Sequence, residues 1–134
     1  MAQDSDERVP PASDNAADLD LPWAPRDHEW NGSEAEHDAL QWAAGDPRKL
    51  ASVYLYRKPG GNPALETDYK FPVADIIGGE PKLVFRAVAN AAARLNQADI
   101  SEKDRKKVEQ RISELYQQAG EAFDDPSLRA PWDR

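Results

Sequence analysis

The sequence predicts a small α+β fold: a two- or three-stranded antiparallel sheet, a short N-terminal helix, two C-terminal helices and a disordered acidic N-terminal arm. Three observations support it. Two segments near the C-terminus space their apolar residues three or four positions apart, as amphipathic helices do. Two central segments are rich in β-branched and aromatic residues and are bounded by Gly- and Pro-rich connections. The first twenty residues have almost nothing to bury.

Charge divides the chain, whose 134 residues suffice for one domain with a modest core. Residues 1–36 hold ten acidic residues against Arg8 and Arg26 and so carry the whole formal charge of −8. We therefore expect an acidic flexible arm with a Pro-Trp segment over residues 1–29, a globular domain over 30–120 and a C-terminal tail over 121–134. Such an arm repels phosphate backbones, so we expect no nucleic-acid partner. It either stays solvated and disordered or binds a basic partner.

Composition also limits the chemistry and location of the chain. It contains no cysteine, which leaves no disulfide, no thiolate catalysis and no cysteine-bound zinc. No apolar run approaches the roughly 18 residues that cross a bilayer. The N-terminus lacks the basic and apolar regions of a secretory signal. We expect a cytoplasmic protein without a membrane partner.

The first structured elements are predicted between residues 23 and 45. Trp23 lies between two prolines that hold the segment extended, and the area that one indole buries favours packing on its own domain over packing on another protein. Ser33 with Glu36 fits a capping box and predicts a helix over residues 34–44. Gly45 and the Asp-Pro pair after it end this helix.

The central segments predict strands. Residues 50–57 form the first, with Tyr54 and Tyr56 on one face. Residues 69–73 form a second, which Pro72 places at a sheet edge or near a strand end. Gly78 and Gly79 supply the positive φ angles of a tight reversal.

Two helices follow the reversal. The first runs from about residue 84 to residue 95, with Arg86 away from its apolar stripe. Ser101 is the predicted N-cap of a second helix of about eighteen residues, closed by Gly120. Its apolar stripe consists of Val108, Ile112, Leu115 and Ala119. In the tail, Trp132 after a proline offers an anchor like Trp23.

Motifs for catalysis or cofactor binding are missing from the sequence. His28 and His37 have no metal-ligand spacing, and we expect both to be exposed to solvent. The basic run over residues 103–111 is interrupted by acids, which is typical of a solvated helix face. There is no G-x-S-x-G, no phosphate-binding glycine loop and no dinucleotide fingerprint. We predict no catalytic residue, no metal site and no cofactor.

A protein partner is the remaining expectation, because aromatic residues and arginine dominate interface energetics. For Phe71 and Tyr54, packing in the core is the favoured alternative. Two other functions stay open: an enzyme or regulator of processing with a polar cleft of Asp68, Lys70, Asp75 and Arg86, and an acidic DNA-mimic inhibitor. The predicted contact residues are Tyr54, Tyr56, Tyr69, Lys70, Phe71 and Arg86, together with Trp23.

Several segments in order resemble an uncharacterised domain of tailed phages: WNGS at 30–33, DYKFPVAD at 68–75, LVFRAV at 83–88 and AAARL at 91–95. In that family a final helix ends near a tyrosine, here Tyr116. Its members occur beside or fused to the head-maturation proteases of phages with HK97-like capsids. The resemblance covers roughly residues 30–119. It implies a non-catalytic interaction module in phage or prophage head assembly, scaffold-like, accessory or capsid-associated, whose partner is a capsid or protease component.

Overall fold

The computed structural model describes residues 21–58, 60 and 68–134, so most of the predicted acidic arm, residues 1–20, lies outside the described residues. The predicted α+β class is confirmed: helices combine with antiparallel strand pairs. In chain order the described elements are α1 (Gly32–Ala43), α2 (Pro47–Ala51), β1 (Tyr54–Arg57), β2 (Tyr69–Pro72), β3 (Ala74–Ile77), β4 (Glu80–Leu83), α3 (Phe85–Arg94), a 3-10 turn (Leu95–Gln97), α4 (Glu102–Ala122) and a last 3-10 turn (Pro131–Asp133).

Helix α1 begins two residues before its predicted start. The N-cap is Asn31, whose side-chain oxygen accepts a 3.1 Å hydrogen bond from the Glu34 N–H, and Ser33 lies inside the first turn. Asparagine and serine are similarly good caps, so the sequence pattern alone does not separate them. The helix ends at Ala43, one residue before its predicted end, where Ala44 adopts a left-handed φ of 50°.

Helix α2 occupies part of the predicted first strand. The Asp46 side chain caps it by accepting a 2.9 Å hydrogen bond from the Arg48 N–H, and Pro47 takes the first helical position, which suits its fixed φ. Leu50 and Ala51 are therefore helical, and the strand starts only at Tyr54. The prediction of a strand from residue 50 was wrong because this helical turn supplies its own cap.

The strands form two hairpins in the described part of the chain. β1 pairs with β2 and β3 pairs with β4, both antiparallel. The predicted reversal is confirmed: Gly78 and Gly79 have φ of 63° and 83° between β3 and β4. Val73 joins the two hairpins, because its N–H donates to the Val53 oxygen at 3.0 Å and its own oxygen accepts from the Val84 N–H at 2.9 Å.

The strands separate two apolar cores. One core lies where α1 and α2 pack on the strands, and it contains the completely buried Tyr54. The larger core lies between the strands, α3 and α4, and includes Tyr56, so the two tyrosines pack in different cores although one shared strand face was predicted for them. The predicted stripe of α4 is confirmed: Val108, Ile112, Leu115 and Ala119 are all buried, at 0 to 1% exposure.

The ends of α4 agree with the sequence at one terminus only. Ser101 is the N-cap as predicted, and its hydroxyl accepts a 3.1 Å hydrogen bond from the Asp104 N–H. Gly120 does not close the helix, which continues to Ala122. The glycine is needed for close approach instead: a Cβ atom there would lie 3.0 Å from the Asp125 carbonyl oxygen.

Residues 21–30 pack on the domain, unlike the flexible arm that was expected to reach residue 29. The Leu83 N–H donates to the Pro22 oxygen and the Ala24 N–H donates to the Leu83 oxygen, both at 2.8 Å, which adds a short parallel bridge beside β4. The Trp23 ring meets the Phe123 ring edge-on at 5.6 Å between centroids. Trp23 therefore anchors its own domain.

The C-terminal tail also packs on the domain. Ala130 is buried, and the Trp132 indole N–H donates a 2.8 Å hydrogen bond to the Ser113 hydroxyl on α4. The Trp132 ring itself remains 37% exposed, so the anchor is its nitrogen more than its apolar surface. Asp125 ties the tail to the N-terminal segment through a 2.9 Å contact with the Arg26 guanidinium.

Candidate interaction groove

An open groove of about 700 Å³ runs between the start of α1, strand β2 and the end of α3. Its walls are formed by residues 30–33 and 36, 69–72, 90, 91 and 94, and 97 and 98, and we call it the β2 groove. Asn31 and the first turn of α1 form one wall. The positive end of the α1 dipole is therefore directed at this wall.

The charged side chains of the groove are two cations and one acid. Lys70 comes from β2, Arg94 from the last turn of α3 and Glu36 from α1. Lys70 and Arg94 are exposed, and neither forms an ion pair with a carboxylate in the described ranges. The β2 groove therefore presents positive charge to solvent.

Phe71 is the conformationally unusual residue of the groove wall. Its φ is 64°, in the left-handed region that a bulky side chain rarely adopts. Such a conformation costs on the order of 1–3 kcal/mol and persists only where the surroundings enforce it. The ring is partly buried against the larger core, and Pro72 follows directly as the last residue of β2. Backbone strain of this kind concentrates at functional sites.

The groove gathers three of the predicted contact residues, Tyr69, Lys70 and Phe71, because they are consecutive in β2, although Tyr69 is itself buried at 6% exposure and packs in the core with Tyr54. It excludes two others. Tyr54 is 0% exposed, with its ring 5.1 Å from that of Tyr69, and Tyr56 is 3% exposed. As contact residues Tyr54 and Tyr56 are corrected to core residues, because a partner could reach them only after the strands had opened.

Tyr56 connects β1 to α4 inside the larger core. Its hydroxyl donates a 3.1 Å hydrogen bond to the buried carboxylate of Asp104. Burial, followed by this hydrogen bond and the charge of Asp104, raises the pKa of Tyr56 to about 12. Burial also raises the pKa of Tyr69, although the Arg57 guanidinium beside it acts in the opposite direction.

Arg86 and Trp23 lie outside the groove. Arg86 is exposed in the first turn of α3, eight residues before Arg94. Trp23 belongs to an aromatic cluster with Phe85, Tyr116 and Phe123. The Phe85 ring centroid lies 5.4 Å from that of Tyr116 and 6.4 Å from that of Phe123.

The residues of the alternative polar cleft do not all line this groove. Lys70 lines it, whereas the Asp75 carboxylate accepts a 3.0 Å hydrogen bond from the His28 Nε2 atom, and Arg86 is outside. His28 is consequently half-buried, which corrects its predicted exposure. Sequence reasoning missed Arg94 as a groove residue. Its only signal was its place in the AAARL segment, because its proximity to β2 depends on how α3 packs.

Among residues 21–58, 60 and 68–134, no group of three or more His, Asp or Glu side chains could hold a metal ion. No described helix is long and apolar enough to cross a membrane.

These features define a small α+β domain with an open, cation-bearing groove. No family model matches the chain, and neither a curated protein nor a solved structure matches it.

Proposed function

We propose that this chain is a non-catalytic protein–protein interaction module that binds its partner in the β2 groove. The observation that carries the proposal is that Lys70 and Arg94 line one open groove without a carboxylate partner among the residues that the structure describes. Arginine and aromatic side chains, here Arg94 and Phe71, are enriched at interfaces. The strained Phe71 on the same wall adds support.

The shape of the groove supports binding over catalysis. Electrostatic stabilisation of a transition state is strongest where water is excluded and the dielectric constant is low. The β2 groove is open to solvent along its length, and the buried Tyr56–Asp104 pair is not among its lining residues. A protein surface can occupy such an open groove, whereas a small substrate would remain largely hydrated there.

The phage context of the proposal comes from the sequence resemblance. The segments at 30–33, 68–75 and 91–95 that carry the resemblance all contribute residues to the groove wall. We therefore take the partner to be a capsid or protease component of a phage or prophage head. The complex would form in the host cytoplasm or in the virion.

Co-purification with head proteins from the same phage or prophage genome tests this function. The Lys70→Ala/Arg94→Ala variant should lose the major capsid protein or the head-maturation protease, because both groove cations are removed. The matched control is Lys103→Ala/Lys106→Ala, which removes two exposed cations from α4. Circular dichroism should show that both variants remain folded.

Three results would contradict the proposal. If the groove variant keeps its partner and Arg86→Ala loses it, the interface lies at the start of α3. If assembly survives in the groove variant but proteolytic processing stops, the chain is an enzyme or regulator of processing. If neutralising the acids of the arm abolishes inhibition of a DNA-binding protein, the chain is a DNA mimic.

A further inference from the structure

We propose that the β2 groove also binds the chain's own first twenty residues, so that this acidic segment competes with the external partner. Residues 1–20, here called the acidic segment, hold six acidic residues against Arg8, a net charge of −5. The regulatory consequence rests on the proposed function, whereas the binding of the segment to the groove does not.

Charge complementarity favours this occupant. The groove offers Lys70 and Arg94 against a single acid, Glu36. A small pocket on α4 has the same count, Lys107 and Arg111 against Glu114, but both of those cations already interact with other groups of the protein. Opposite potentials attract and align two surfaces even when each individual ion pair is weak.

The attachment point brings the segment within reach. Leu21, which follows it directly, is partly buried against both apolar cores and is therefore fixed to the domain. Twenty residues span at most roughly 70 Å when extended. A domain of this size has a radius of gyration of about 13 Å. The groove is accessible to the segment wherever it lies on the surface.

Covalent attachment compensates for weak contacts. A short tether gives the attached segment an effective concentration in the millimolar range. An external partner, by contrast, loses translational and rotational freedom on binding. A few exposed ion pairs are therefore enough for the acidic segment to occupy the groove and to weaken a partner that uses the same two cations.

The test uses the full chain with an uncharged segment. The neutral-segment variant carries Asp4→Asn, Asp6→Asn, Glu7→Gln, Asp14→Asn, Asp18→Asn and Asp20→Asn. The probe is a synthetic peptide of residues 1–20, added in trans and measured by calorimetry at low salt. We expect the neutral-segment variant to bind the peptide about twofold to fivefold more tightly than the wild type, because a tethered competitor that is held by weak exposed ion pairs at a millimolar effective concentration is gone.

A second variant controls for net charge. It neutralises six exposed acids that are not adjacent in sequence to a groove-lining residue, Asp27, Asp38, Glu80, Glu121, Asp124 and Asp133, and so repels the acidic peptide no more than the neutral-segment variant does. We expect its affinity to rise less than that of the neutral-segment variant, because these acids act on the peptide only at long range and the tethered competitor is still present. Adding Lys70→Ala/Arg94→Ala to the neutral-segment variant should abolish peptide binding.

Nuclear magnetic resonance locates the contact in the intact chain. The amide signals of Tyr69, Lys70 and Phe71 should differ between wild type and the neutral-segment variant, and 0.5 M NaCl should remove the difference. Equal peptide affinity in the two proteins, or unchanged groove signals, would overturn the inference. Signal differences that vanish on dilution would also overturn it, because they indicate exchange between copies. None of these results changes the outcome of the co-purification test, so the proposed function is tested independently.

Discussion

The Tyr56 hydroxyl donates a 3.1 Å hydrogen bond to the Asp104 carboxylate within the larger core. The pair joins β1 to the first turn of α4 across 48 positions of sequence. Both side chains are buried, with Tyr56 at 3% and Asp104 at 7% exposure. Asp104 also lies where the α4 dipole favours negative charge, so the helix start and the strand stabilise the same carboxylate.

Replacing Tyr56 by Phe should destabilise the domain by about 1–3 kcal/mol, because a buried carboxylate loses its hydrogen-bond donor. Urea unfolding followed by circular dichroism measures the change. In an Asp104→Ala background the same substitution should cost clearly less, since its partner is already absent. An equal cost in both backgrounds would show that the hydrogen bond contributes nothing.

Stability should fall at alkaline pH through the same tyrosine. The pKa of Tyr56 is about 12 in the folded protein against an ordinary value of 10.0, so the unfolded chain loses this proton first. Above pH 10 the unfolded state binds fewer protons, and the free energy of unfolding decreases until the folded pKa is passed. Unfolding curves at pH 9 and pH 11 should show this loss in wild type and less of it in Tyr56→Phe. The remaining loss belongs to Tyr69 and Tyr116, whose pKa values burial also raises.

Replacing Phe71 by glycine and by alanine distinguishes the cost of backbone strain from the stability that packing of the ring contributes. Both substitutions remove the phenyl ring, but only alanine keeps a Cβ at the φ of 64°. Phe71→Gly should therefore be more stable than Phe71→Ala by about 1 kcal/mol. Thermal unfolding of the two variants compares them directly. If the alanine variant is equally or more stable, the left-handed backbone carries no strain.

Replacing Gly120 by alanine should not give the stabilisation that this substitution usually gives inside a helix. Inside a helix, Gly→Ala ordinarily stabilises by about 1 kcal/mol. Here the new Cβ would lie 3.0 Å from the Asp125 carbonyl oxygen, and the Asp125 N–H already donates a 2.8 Å hydrogen bond to Gly120. We expect Gly120→Ala to lower the melting temperature, because the chain after α4 must move. A higher melting temperature would contradict this account.

The sequence correctly predicted the elements that depend only on residues close together in the chain. The α4 stripe followed from spacing alone, because Val108 and Ile112 share one helix face in any amphipathic helix. Ser101 followed from its position before two acids, and the reversal at Gly78 followed from the left-handed backbone that glycine tolerates. None of these features depends on a distant part of the chain.

The features that the sequence did not predict depend on contacts between distant segments. Val73 joins the two hairpins by pairing with both Val53 and Val84, and no single short window of the sequence contains all three residues. Arg94 enters the groove because α3 packs near β2, and Tyr56 turns to the larger core because Asp104 accepts its hydroxyl. Alternation along β1 therefore assigned Tyr54 and Tyr56 to the same face, and packing separated them.

Arg26 and Asp125 meet although 99 positions separate them, and the Trp23 and Phe123 rings touch alongside. Closing so long a loop is entropically costly, so this clasp should form late in folding. Once it opens, both flanking segments are held less firmly, the first by its hydrogen bonds to Leu83 and the last by Ala130 and Trp132. A protease acting on the native protein should accordingly trim the two ends in concert, and Arg26→Ala should hasten cleavage at the far terminus as well as nearby.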